Sequence, residues 1–133
     1  MIAVDVNVVA YALIAGEKSE LAAEVWAKDN HWLVPSLWRH EFLNILATSE
    51  RTGNLDMVAC LGVWRSATAL LAEGECEVNM PDALRMAARC GISAYDAEYL
   101  VLAKQAGVLL ITEDRKLRQS EPTLAVSMRS FTA

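Results

Sequence analysis

Cysteine is scarce: the chain holds three, Cys60, Cys76 and Cys90, with no Cys-x-x-Cys spacing. An odd, scattered set excludes a disulfide framework and predicts reduced thiols in a cytoplasmic protein. The two histidines, His31 and His40, do not cluster with them, so a structural zinc site is not expected. Three prolines and six glycines exclude collagen-like and linker-rich chains. No apolar run approaches the roughly 18 residues that a membrane span needs. The first apolar run is cut by Asp5 and follows no basic segment, so no signal peptide is expected. Excess positive charge is also absent. A net charge of -5 argues against tight, non-specific coating of DNA.

What is present is a sizeable apolar fraction. With 133 residues, 54% hydrophobic and 22% charged, the chain is expected to fold as one domain, residues 1–133, around a real core. The charge is uneven. Residues 1–84 hold five Lys/Arg against twelve Asp/Glu, whereas residues 85–133 hold seven against five. A phosphate-bearing ligand is therefore not excluded by the overall acidity.

Short apolar runs alternate with longer periodic ones. Strands are expected at Ile2–Val4, His31–Val34, Glu75–Val78, Val108–Thr112 and Leu124–Met128. Helices are expected at Asn7–Ala15, Ser19–Lys28, from Ser36 as N-cap to Thr52, Leu55–Ala72, Pro81–Cys90, from Ser93 or Ala94 to Gln105, and Asp114–Gln119. Gly91 reads as the C-cap of the fifth helix. This alternation predicts an α/β domain with a mainly parallel central sheet flanked by helices. In such sheets ligands bind beyond the carboxyl ends of the strands.

Four acids stand out against this pattern. Asp5 ends the first strand, and Asp114 follows the strand closing at Ile111 and Thr112. Glu41 shares a helix face with Leu37, Trp38, Asn44 and Ile45, three of them apolar. Asp96 stands in the first turn of its helix. Each has an ordinary alternative. Asp5 and Asp114 could cap helices, Asp96 could favour a helix dipole, and Glu41 could pair with Arg39 or Arg51. Spacing alone does not choose Asp96 over Glu98. Jointly, acids that are costly to bury and far apart in sequence point to one pocket, and carboxylate oxygens suit Mg²⁺ or Mn²⁺. Of the four tryptophans, Trp26 and Trp38 fall on apolar helix faces and are expected in the core.

The local contexts of these acids resemble the PIN-domain family, and within it the VapC-type toxins of bacterial toxin–antitoxin pairs. Val4-Asp5-Val6-Asn7-Val8 resembles the first acidic motif. The stretch from Pro35 to Asn44 is similar to the helix carrying the second acid. Ser93-Ala94-Tyr95-Asp96 through Ala103 resembles the third motif closely. Leu110 to Leu117 resembles the last, a Thr-x-Asp after a strand. The resemblance spans essentially the whole chain. It implies a PIN-like fold and Mg²⁺- or Mn²⁺-dependent endonucleolytic cleavage of RNA. It selects Asp96 over Glu98 and Asp114 over Glu113. It also implies a cognate antitoxin; a homodimer is expected with it.

On this reading Asp5 and Asp96 are the principal metal ligands, with Glu41 and Asp114 completing the shell directly or through water. Asn7, Ser93 and Thr112 are candidates for orienting carboxylates or phosphate by hydrogen bonds. Arg39, Lys104, Arg115, Lys116 and Arg118 are candidates for RNA phosphate contacts, each with an ordinary surface role as the alternative. Two rivals are a catalytically inactive PIN-fold interaction module and a haloacid-dehalogenase-type phosphatase. The phosphatase needs a second acid two residues after the first, where this chain has Asn7.

Overall fold

The computed structural model describes residues 1–133. Its strands are β1 (Ile2–Val4), β2 (Trp32–Pro35), β3 (Glu75–Cys76), β4 (Leu110–Ile111) and β5 (Ala125–Val126). Its helices are α1 (Val6–Leu13), α2 (Ser19–Lys28), α3 (Trp38–Arg51), α4 (Met57–Leu71), α5 (Met80–Cys90), α6 (Ala94–Ala106), α7 (Arg115–Ser120) and α8 (Met128–Thr132). All five strands are parallel, in the order β3-β2-β1-β4-β5. From β1 the chain first builds outward through β2 and β3, then returns to the other side for β4 and β5. The switch point therefore lies between β1 and β4, and the crevice beyond their carboxyl ends is where such sheets bind ligands.

The central strands are buried along their length, as a parallel sheet covered by helices requires. Helix α6 packs across β1, β2 and β4, with α5 against it. It encloses Ala97, Tyr99, Leu100, Val101, Leu102 and Ala103. Asn79 caps α5 and Ser93 caps α6 through their side chains. Gly91 and Gly107 end these two helices in the left-handed conformation that glycine adopts without strain.

Several boundaries differ from expectation. Ser36 is not a cap: α3 starts after Leu37, without a side-chain cap. Pro35 ends β2 from inside the strand. Leu124–Met128 is not one strand, because Ser127 caps a short final helix by accepting from the Ser130 amide at 3.1 Å. β3 and β4 are also shorter than their apolar runs, since only two residues of each find a ladder partner, whereas β1 has its expected bounds and β2 keeps its length one residue further on. Trp38 is enclosed, stacked on Trp64 with ring centroids 5.6 Å apart. Trp26 is not a core residue. It is 37% exposed and meets Trp32 edge-on.

The approach of β3 to β2 depends on Gly74. A Cβ there would lie 1.8 Å from the Trp32 carbonyl oxygen, a backbone atom that cannot swing aside. Gly74→Ala is therefore expected to destabilise the chain by about 3 kcal/mol, at the upper end of overpacking costs. The urea unfolding midpoint measures this. An unchanged midpoint would show that β3 does not need the close approach.

Candidate active site

The β1–β4 register builds the site. Val4 pairs with Ile111, so the next residue of each strand, Asp5 and Thr112, leaves the sheet beside the other. Both are buried. The Thr112 hydroxyl donates to Asp5 Oδ2 at 2.8 Å and accepts from the Asp114 amide at 3.0 Å. Asp5 Oδ1 accepts from the Asn7 amide at 3.1 Å, which also makes Asp5 the N-cap of α1. The capping role and the site role thus coincide in one carboxylate. Asp114 is likewise the N-cap of α7, its Oδ1 accepting from the Lys116 and Leu117 amides.

Glu41 reaches the same region from the first turn of α3. It has no arginine partner, because Arg39 pairs with Glu75 at 2.8 Å. Its Oε1 instead accepts from the buried Tyr99 hydroxyl at 2.6 Å. Tyr99 stands three residues beyond Asp96 on α6, so one helix supplies both an acid and the donor that holds another acid. Asp96 is half-buried, with its amide donating to Ser93 Oγ at 3.0 Å.

The carboxylates affect one another. Burial pushes Asp5 above the usual carboxylate range, and Asp96 and Asp114 add to the rise. Asp96 is raised first by burial and then by Asp114. Glu41 is pushed from 4.5 to about 7, chiefly by burial; the Tyr99 hydroxyl opposes the rise, and Asp5, Asp96 and Glu98 reinforce it. Burial also raises Glu98, which stands on the same helix. No three Asp, Glu, His or Cys side chains form a ready cage for a cation. Thr112 holds Asp5, Tyr99 holds Glu41, and the α7 amides hold Asp114. Chemically the donor set fits a hard divalent cation. It is made of oxygens, carries like charges that raise one another, and faces no Lys or Arg that neutralises all of them.

A PIN-domain profile matches residues 2–121 of the chain. The chain belongs to the PIN-domain family. Ribonuclease VapC3 of Pyrobaculum aerophilum is 31% identical over 130 residues, covering 91% of this chain and 95% of that protein. Among solved structures, the crystal structure of PAE2754 from Pyrobaculum aerophilum superposes with a TM-score of 0.77 at 21% identity. It covers 98% of this chain and 92% of the other. That likeness concerns the fold of this PIN domain.

The basic residues named from sequence are dispersed around the PIN domain. Lys116 is near enough to Asp96 to favour its ionised form. Arg118 donates to the Thr112 carbonyl at 3.0 Å and so braces the loop beyond β4. Arg115 is exposed, with no ion-pair partner. Arg39 is engaged by Glu75, and Lys104 lines a separate groove between α5 and α6. Lys104 lies eight residues along α6 from Asp96, about 12 Å at the helical rise. Sequence reasoning missed two residues. Tyr99 could have been found from its i+3 spacing to Asp96. Lys18, in the turn before α2, carried no sequence signal. It lines the cleft with Asp5, Asn7, Tyr11, Glu113 and Asp114.

The raised Glu41 gives a signed pH dependence without metal. The folded chain retains a proton that the unfolded chain releases, so stability is expected to fall as pH rises from about 4.5 through about 7. Asp5 and Asp96, also raised, act in the same direction. Glu41→Gln should flatten the curve, and Tyr99→Phe, which removes the donor to Glu41, should shift it to higher pH. Melting temperature against pH in excess chelator reads all three. A wild-type curve that climbs across this window would refute the assignment.

Proposed function

We propose that this chain is a metal-dependent endoribonuclease and the toxin of a toxin–antitoxin pair. The observation carrying this reading is the group of carboxylates at the switch point of a PIN-family sheet, Asp5, Glu41 and Asp96, each raised first by burial and then by neighbouring acids. The VapC3 ribonuclease, alike over nearly its whole length, supports it. Asp5 and Asp96 would hold a Mg²⁺ or Mn²⁺ ion, with Glu41 and Asp114 contributing directly or through water. Such a cation supplies Lewis acidity and positive charge toward a phosphodiester.

The chain's own residues prepare the site. Thr112 and the Asn7 amide aim the two oxygens of Asp5. Tyr99 fixes one oxygen of Glu41 and leaves the other free. Ser93 sets the start of α6 and with it the position of Asp96.

Asp96→Asn is expected to abolish cleavage of single-stranded RNA in Mn²⁺ while keeping the fold. Without metal it should melt no lower than wild type, because a like-charge repulsion is relieved. Mn²⁺ should raise the melting temperature of stripped wild-type protein, and less so that of the variant. Wild-type cleavage by the variant, or cleavage that survives chelation, would remove the metal-site reading.

The antitoxin is assigned to an apolar groove of about 490 Å³ between α3 and α4. It is lined by Leu43, Met57, Leu61 and Trp64, and Leu43, Met57 and Leu61 are each half exposed. Leu61→Glu is expected to abolish co-purification with the product of the adjoining reading frame and leave RNA cleavage intact. Equal co-purification would move the antitoxin elsewhere. Light scattering on the same samples reads the homodimer, and a monomer mass for the free chain would remove it.

A further inference from the structure

Lys18 sits where two clefts meet. One is the acid cleft of about 220 Å³. The other is a hollow of about 390 Å³ running along α1 toward α3, walled by Ala10, Ile14 and Ile45. The two share Asn7, Tyr11 and Lys18, and Lys18 is the one basic residue lining either.

Two contacts set its position. The ammonium stands 5.1 Å from the centre of the Tyr11 ring and 3.8 Å from Glu113 Oε2. Glu113 is itself anchored, because its Oε1 accepts from the Met128 amide at 2.8 Å. A separation of 3.8 Å is too long for a good hydrogen bond, so the three N–H donors of Lys18 remain available. The pair is solvated, with 44% of the lysine side chain exposed, so it places the charge more than it stabilises the fold. A phosphodiester entering the acid cleft meets carboxylates on several sides. A cation at the junction offsets that repulsion for the neighbouring phosphate, and lysine binds phosphate as a compact point charge.

We propose, resting on the ribonuclease reading above, that Lys18 is the positioning cation for RNA. It grips the backbone phosphate next to the one cleaved, where the strand passes from the acid cleft into the α1 hollow. A phosphate contact of this kind fixes register and carries no sequence information.

The test is binding of a fluorescent single-stranded RNA in Mn²⁺, by anisotropy, in an Asp96→Asn background. Cleavage by the wild-type chain is measured in parallel. Lys18→Ala is expected to weaken binding about tenfold at low salt, as loss of a charge-assisted hydrogen bond would. It should also reduce the log–log salt slope by about 0.7, the value of one phosphate contact on a single strand. Two RNAs of unrelated sequence should be weakened alike, Lys18→Arg should restore the slope, and the melting temperature should not move. If the wild-type chain fails to cleave while the slope still falls, the ribonuclease reading fails and the phosphate contact stands. An unchanged affinity and slope in Lys18→Ala, or no RNA binding by the parent, overturns the assignment.

Discussion

The pairing of Val4 with Ile111 places Asp5 and Thr112 side by side where β1 and β4 end, and the acidic end of the molecule is organised around that contact. A one-residue slip would turn the strand's side chains to the opposite face and separate the two. Asp5 is only 7% exposed, and a carboxylate so enclosed is costly unless its lone pairs are met. The Thr112 hydroxyl and the Asn7 amide meet them. The same hydroxyl receives the Asp114 amide, so two acids are placed by a single buried threonine.

Two tendencies oppose each other here. Hydrogen bonds from Thr112, Asn7 and Tyr99 favour the ionised carboxylates, while burial and neighbouring acids favour the protonated ones. Burial is the larger effect in both Asp5 and Glu41, so the cluster binds protons more readily than ordinary carboxylates do. Proteins tolerate such local conflict at functional sites and compensate elsewhere. The compensation here is a continuous core through β1, β2, β4 and α6, together with the stacked Trp38 and Trp64 and nearby Phe42. Positive charge close to the acids is supplied by Lys116 and Lys18 on exposed segments, where each keeps its hydration.

The apolar exterior is uneven. Val58 is 78% exposed near the α3–α4 groove, and Met80 and Leu84 stand one turn apart on the outside of α5. These faces lie on the amphipathic helices, whereas the middle of α6, Ala97 and Tyr99 to Ala103, is enclosed.

Local chemistry determined much that could be read from the residues alone. Helix α2 has its expected bounds, and α5 and α6 nearly so, because caps and terminal glycines act within a few residues of themselves. The α/β class followed from alternating apolar periods, and the acids stood out by interrupting them. The resemblance to the PIN family chose Asp96 over Glu98, which spacing could not. Tertiary structure decided what depends on distant partners. Strands β3, β4 and β5 shrank to the residues that find a ladder, and the sheet proved wholly parallel. Ser127 began a helix where apolar content had suggested strand. Glu41 found Tyr99, 58 positions away, rather than a nearby arginine. Lys18 reached the cleft from a turn with no pattern of its own. Periodicity and capping act between residues close in the chain. Pairing register and the meeting of buried charges act across the sheet, and only the folded packing brings those groups within reach.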